Sequence, residues 1–126
     1  MATRARIGVQ LSDDSILSVY HHWDGYPEWL GKQLEEHFNS YQLATELIDG
    51  GDMSVCLTDE GEPSPQYYSQ RGEDCPPRVD ATLGAYANKE AGEEYHYYWS
   101  QKLRRWICID MNYFNDNDPE VVMIPN

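Results

Sequence analysis

From Arg4 to Leu11 apolar and polar residues take turns, with Ala5, Ile7, Val9 and Leu11 set against Arg4, Arg6, Gly8 and Gln10. Side chains of an extended chain alternate between faces, so this stretch predicts a half-buried strand. Ser12-Asp13-Asp14-Ser15 is turn chemistry, and Ile16 to Trp23 returns with Leu17, Val19, His21 and Trp23 on one face, the second strand of a hairpin. The period then changes. Leu30, Leu34, His37 and Phe38 recur at helical spacing, which predicts a helix from about Pro27 to Phe38. Asp24 and Gly25 make the turn, Pro27 presets the dihedral of a first helical turn, and Glu28 places negative charge at the positive end of the helix dipole. Asn39 and Gln42 have the spacing of a reciprocal cap for a second helix, which carries Leu43, Ala44, Leu47 and Ile48 on one side and stops at Gly50-Gly51.

Met53 to Leu57 reads as a third strand. From Thr58 to Val79 periodicity is lost, and Pro63, Pro65, Pro76 and Pro77 argue for an irregular loop at about 58–80. Thr82 to Ala91 fits a helical turn with Leu83 and Tyr86 inward. Glu94 to Ser100 sets Tyr95, Tyr97 and Trp99 against Glu94, His96 and Tyr98, and Gln101 to Arg104 connects it to a return strand, Trp106 to Met111, with Ile107, Ile109 and Met111 inward. Val121 to Ile124 adds a short edge strand. The sum is an α+β domain: an antiparallel sheet of about five or six strands (N-terminal hairpin, central strand, C-terminal hairpin) with a two-helix hairpin packed on one face.

A chain of 126 residues makes one domain, 1–126, with enough length to bury a core unaided. Cys56, Cys75 and Cys108 are odd in number and form no CxxC pair, so neither a zinc site nor a disulfide framework follows, and a reducing cytoplasm is the simpler setting. No stretch approaches membrane-spanning length, so a soluble, non-exported protein is expected. A net charge of −13 repels nucleic-acid phosphates and anionic membranes and favours basic partners. Solubility is the bland account of that charge.

Chemistry finds little purchase. Gly25 to Gln33 has the outline of a phosphate-binding loop, but five residues separate the glycines and Gln33 stands where a hydroxyl would hold magnesium. His21, His22, Asp24 and Glu28 could be argued as metal ligands. Adjacent strand residues point to opposite faces, however, and His21 beside the core with His22 exposed is the simpler reading. No nucleophile carries a catalytic signature, so no catalytic residue, metal ligand or cofactor is expected. Ten tyrosines and four tryptophans exceed what a small core needs, and rings of this kind dominate binding hot spots. Tyr20, Tyr26, Trp29, Tyr67, Tyr68 and Tyr98 are the candidate surface aromatics. The candidate binding residues are His22, Trp23, Asp24, Tyr26 and Trp29 at the strand-to-helix junction, Tyr67, Tyr68, Arg71 and Arg78 from the irregular loop, and Arg4 and Arg6. That last pair shares the non-core face of the first strand, as an anion clamp or, more simply, as an ordinary solvated face.

The strings Thr3-Arg4-Ala5-Arg6-Ile7-Gly8, Tyr20-His21-His22-Trp23-Asp24-Gly25-Tyr26-Pro27, Gly31-Lys32, Leu47-Ile48-Asp49-Gly50-Gly51-Asp52-Met53-Ser54 and Gln70-Arg71-Gly72-Glu73-Asp74 are distinctive together. In them the chain resembles a family of small proteins encoded by tailed bacteriophages, including those that infect cyanobacteria. The resemblance covers most of the chain up to Pro77. It brings no catalytic residue, and it implies a protein made in the cytoplasm of an infected bacterium, dispensable for the virion and acting on host machinery or defence. Three readings follow. One is a binding protein that uses its acidic, aromatic surface on a basic host macromolecule. Another is a sponge for a nucleotide-like signal, with Arg4, Arg6, Arg71 and Arg78 on phosphates and Trp23 or Tyr26 stacked on a base. The third is a small metal-dependent hydrolase using carboxylates with His21 or His22. A homodimer is the default oligomer.

Overall fold

The computed structural model describes residues 3–23, 25–59, 62–67, 76–87, 92–115 and 117–124. The alternating N-terminal stretch forms the expected hairpin. β1 (Ala5–Gln10) and β2 (Ile16–Trp23) pair antiparallel from Ala5↔His21 to Gln10↔Ile16. Asp13 Oδ1 closes the turn by accepting the Ser15 N–H at 3.0 Å. After β2 the Gly25 N–H donates to Thr3 O at 2.7 Å. A Cβ on Gly25 would lie 2.6 Å from Ala5 Cβ, so no other residue fits this crossing.

Pro27–Gly31 forms a π-helical turn that runs into α1 (Lys32–His37), and α2 (Tyr41–Asp49) follows at once. Ser40, rather than Asn39, caps α2: its Oγ accepts the Leu43 N–H at 3.0 Å. Ala44, Leu47 and Ile48 are buried as the spacing requires. Leu43 falls just outside that stripe and is 41% exposed. Gly51, at φ +87°, supplies the left-handed exit.

Because α1 and α2 carry the chain back along the sheet, β3 (Met53–Asp59) runs parallel to β2 instead of returning against it. The sheet is therefore mixed, which corrects the antiparallel expectation. β4 (Glu62–Tyr67) and β5 (Arg78–Asp80) lie where an irregular loop was expected. Pro63 and Pro65 are tolerated because β4 is an edge strand, and prolines two apart leave their missing donors on the same side of it. α3 (Leu83–Tyr86) leads towards β6 (Tyr95–Ser100), which pairs parallel with β1; β7 (Arg105–Asp110) and β8 (Glu120–Val122) then return antiparallel in turn. The order is β4-β3-β2-β1-β6-β7-β8, with β5 against the start of β2. Six strands have six to eight residues, and β5 and β8 have three each. No helix among the described residues is long and apolar enough to cross a membrane.

Both faces of the sheet are covered. On one, Ala5, Ile7, Val9, Val19, Tyr97, Trp99, Trp106 and Cys108 pack against Leu30, Leu34, Phe38, Ala44, Leu47 and Ile48. Trp106 Nε1–H donates at 3.0 Å to the Phe38 carbonyl at the end of α1, so the indole both fills the core and satisfies a helix end. On the other face Ile16, Tyr98, Ile107, Ile109 and Met111 gather around Tyr86, which is wholly buried. Tyr86 reaches the sheet over Gly8, where a Cβ would meet its hydroxyl at 3.1 Å, and donates to the Tyr97 carbonyl.

Ile107, Ile109 and Met111 are inward as expected, on the face away from the two helices. This second core corrects two expectations. Tyr98, expected at the surface, is 9% exposed. Arg6, expected on a solvated face, is 7% exposed: its Nε donates to Ser18 Oγ at 2.9 Å and its Nη1 lies 3.6 Å from Glu93 Oε1. In each case the residue lies on the sheet face roofed by α3 and the chain leading into β6. Leu83, expected inward on α3, is 36% exposed, leaving Tyr86 to hold that helix down.

Candidate binding cleft

β1 and β6 begin, and β2 and β7 end, at the same end of the sheet. The backbone there is stitched by Glu94 N–H to Arg4 O at 2.9 Å and Met111 N–H to Glu94 O at 3.0 Å. Beyond β7 the chain turns at Asn112, in the left-handed region at φ +52°. Asp110 Oδ1 accepts the Asn112 N–H at 2.9 Å, and the Asn112 amide donates to Asp118 O at 2.6 Å. These bonds fix a short loop that carries Tyr113 and Phe114 outward.

Between that loop and Tyr26 lies a cleft of about 330 Å³, lined by Thr3, Tyr26, Glu94, Tyr95, Asp110, Asn112, Tyr113, Phe114 and Asn115. Its walls are rings, with Tyr113 and Phe114 packed at 4.9 Å between centroids. Phe114 is 72% exposed, an apolar ring held in water beside two carboxylates. Glu94 is almost buried, one oxygen accepting the Arg4 backbone N–H at 2.5 Å. Burial, and then the charge of Asp110, raise the Tyr95 phenol above its ordinary value, so it stays neutral and able to donate. Two other clefts among the described residues, one at Tyr41, Trp99 and Arg104 and one against β8, carry at most one carboxylate each.

Of the expected binding residues the structure brings Tyr26 into this cleft and sets Arg4 at its margin, the Arg4 guanidinium over the Tyr113 ring. The others are elsewhere. His22 is half-buried rather than exposed, because its Nδ1 sits 2.7 Å from the Tyr20 hydroxyl. Trp29 leans on the His21 ring at 6.1 Å, and Tyr67 donates to Leu47 O at 2.7 Å. Arg6 is in the second core, and Arg78 pairs with Asp80 at 3.1 Å. Asp24, Tyr68 and Arg71 lie outside the described residues, as does the side chain of Trp23.

Glu94, Tyr95, Asp110, Tyr113 and Phe114 were missed as site residues. Glu94 and Asp110 are two among 22 acids, with nothing local to mark them. Tyr113-Phe114 did carry a signal: two adjacent rings opening a loop of asparagines and aspartates.

Burial pushes the Cys108 thiol up to about 12, far from a nucleophile's range. His21 is wholly buried and cannot touch a substrate. Among the described residues no group of three or more histidines, cysteines and acids is placed to hold a metal ion. The comparisons add no relative: no family profile, no curated protein and no solved structure matches the chain.

Proposed function

We propose that the protein is a non-catalytic capture protein, made in an infected bacterial cell, that binds a basic host macromolecule through the cleft at the end of its sheet. The observation that carries this reading is the pairing of Glu94 and Asp110 with the rings of Tyr26, Tyr95, Tyr113 and Phe114 in one concavity. Carboxylates attract and orient a cationic group, and ring faces and edges bind its stem and its charge. The net charge of −13 would draw a basic partner from a distance. The volume, about 330 Å³, is at the small end for ligand pockets and suits one side chain better than a nucleotide. The sponge reading loses support for a second reason: Arg6, one of its phosphate ligands, is buried in the second core beside Glu93.

Titration with a short peptide of mixed arginine and neutral residues, at two salt concentrations, tests the proposal. Asp110→Asn keeps an acceptor for the Asn112 backbone N–H and removes the charge. It is expected to weaken binding about five- to tenfold at low salt and to flatten the salt dependence. Binding indifferent to both salt and Asp110→Asn would count against capture by this cleft.

A further inference from the structure

A cation already stands at the margin of the cleft, against two of the residues that line it, and the chain supplies it. The Arg4 guanidinium carbon lies 5.4 Å from the centre of the Tyr113 ring, and Nη2 is 3.7 Å from Glu94 Oε1. A ring face with a carboxylate beside it is the environment a guanidinium seeks. Yet Arg4 fills it loosely. Its side chain remains 38% exposed, and 3.7 Å is too long for a hydrogen bond. An ion pair so open to water holds weakly, and the larger hold on the guanidinium is its polar contact with Tyr113, itself a residue of the cleft.

Arg6, two residues along, shows what a committed arginine looks like here: 8% exposed at the side chain, with hydrogen bonds to Ser18 Oγ and Ser18 O at 2.9 and 3.1 Å. The fixed part of the Arg4 contact is its backbone, whose N–H holds Glu94 Oε2. If the guanidinium swings away, that carboxylate keeps its place.

We infer that the cleft takes an arginine side chain of the partner protein, and that Arg4 is the chain's own placeholder for it, displaced on binding. The inference rests on the capture reading above and adds the chemical identity of the anchor. A planar guanidinium can lie on Tyr113 while its fork reaches a carboxylate, and a lysine ammonium, a point charge on a flexible stem, cannot do both at once.

The test is calorimetric titration of the full chain with a peptide carrying three arginines among neutral residues, and with its lysine counterpart. Arg4→Ala is compared with Lys102→Ala, which removes an equal charge from the exposed turn between β6 and β7. Arg4→Ala is expected to bind the arginine peptide about three- to tenfold tighter than Lys102→Ala does, because no internal cation has to leave first. Arg4→Lys is expected to lie between wild type and Arg4→Ala. Equal or weaker binding by Arg4→Ala, with the wild type still binding, would overturn the placeholder and leave the capture reading standing. A lysine peptide bound as tightly as the arginine one would overturn the choice of guanidinium. No binding of either peptide to any variant would remove both the inference and the reading beneath it.

Discussion

Replacing Arg6 by methionine is expected to lower the free energy of unfolding by about 3–5 kcal/mol, because it strands a buried carboxylate. Methionine keeps much of the stem's packing, so the loss reports charge. Glu93 is 6% exposed and lies 3.6 Å from the Arg6 guanidinium through Oε1 and 3.6 Å from His96 Nε2 through Oε2. Neither Glu93 Oε2 nor either ring nitrogen of His96 makes a hydrogen bond within the described residues, so the cluster has no spare partner to absorb the change. Changing both members, Arg6→Met with Glu93→Met, is expected to recover most of the loss, since an apolar pair of similar volume often replaces a buried ion pair at little cost. Urea unfolding of the single and double variants decides it. A single variant within about 1 kcal/mol of wild type would mean that Glu93 reaches water and that the second core is open.

Stability is expected to fall steadily as the solution is acidified below about pH 6.5, and His21 is the cause. The ring is wholly buried on the helix-covered face. Burial, and then the neighbouring charge of His22, hold its pKa down to about 3. An unfolded histidine titrates near 6.5, so between those values the unfolded chain binds a proton that the folded one refuses. Well inside that window each unit of acidification therefore removes ~1.4 kcal/mol, and the loss between pH 6.5 and 4.5 is roughly 2 kcal/mol.

Glu93 works in a lower window. Burial alone would raise its carboxyl, but His96 and Arg6 outweigh burial and hold it below its ordinary value. Its contribution is lost only as pH falls below the unfolded value of about 4.5. Urea midpoints from pH 7.5 to 4.5 should accordingly slope for the wild type and slope much less for His21→Gln. Parallel curves would show that His21 is not kept neutral by the fold.

What the sequence made legible was whatever carries its own local period. Ala5, Ile7 and Val9 announce β1, Tyr95, Tyr97 and Trp99 announce β6, and the Leu30 to Ile48 spacing announces the helices. What it hid depends on partners far away in the chain. Arg6 and Gly8 read as a polar face because nothing near them foretells that Tyr86 will lie over Gly8. The pairing of β1 with β6 is likewise silent, since Ala5 and Tyr95 become neighbours only after the rest of the sheet has formed. β4 was hidden for the opposite reason: its prolines are a true local signal against a strand, overridden because edge strands need donors on one side only.

The candidate site divides the same way. Tyr26 was legible as a candidate surface aromatic, whereas Arg4 was read with Arg6 as an anion clamp or a solvated face, a pairing that the burial of Arg6 undoes. The strand-to-helix junction was read as one surface, but His22 and Trp29 turn aside to Tyr20 and His21. Glu94 and Asp110 acquire meaning only when β6 and β7 bring them to the same end of the sheet as Tyr113.

The most direct test of capture by this cleft is a two-dimensional NMR titration of the labelled protein with the arginine peptide. The predicted result is a set of shifts confined to Arg4, Tyr26, Glu94, Tyr95, Asp110 and the Asn112 to Asn115 loop, saturating together and fading with salt. Shifts centred instead on Tyr41, Trp99 and Arg104 at the other end of the sheet, or no shifts at millimolar peptide, would contradict it.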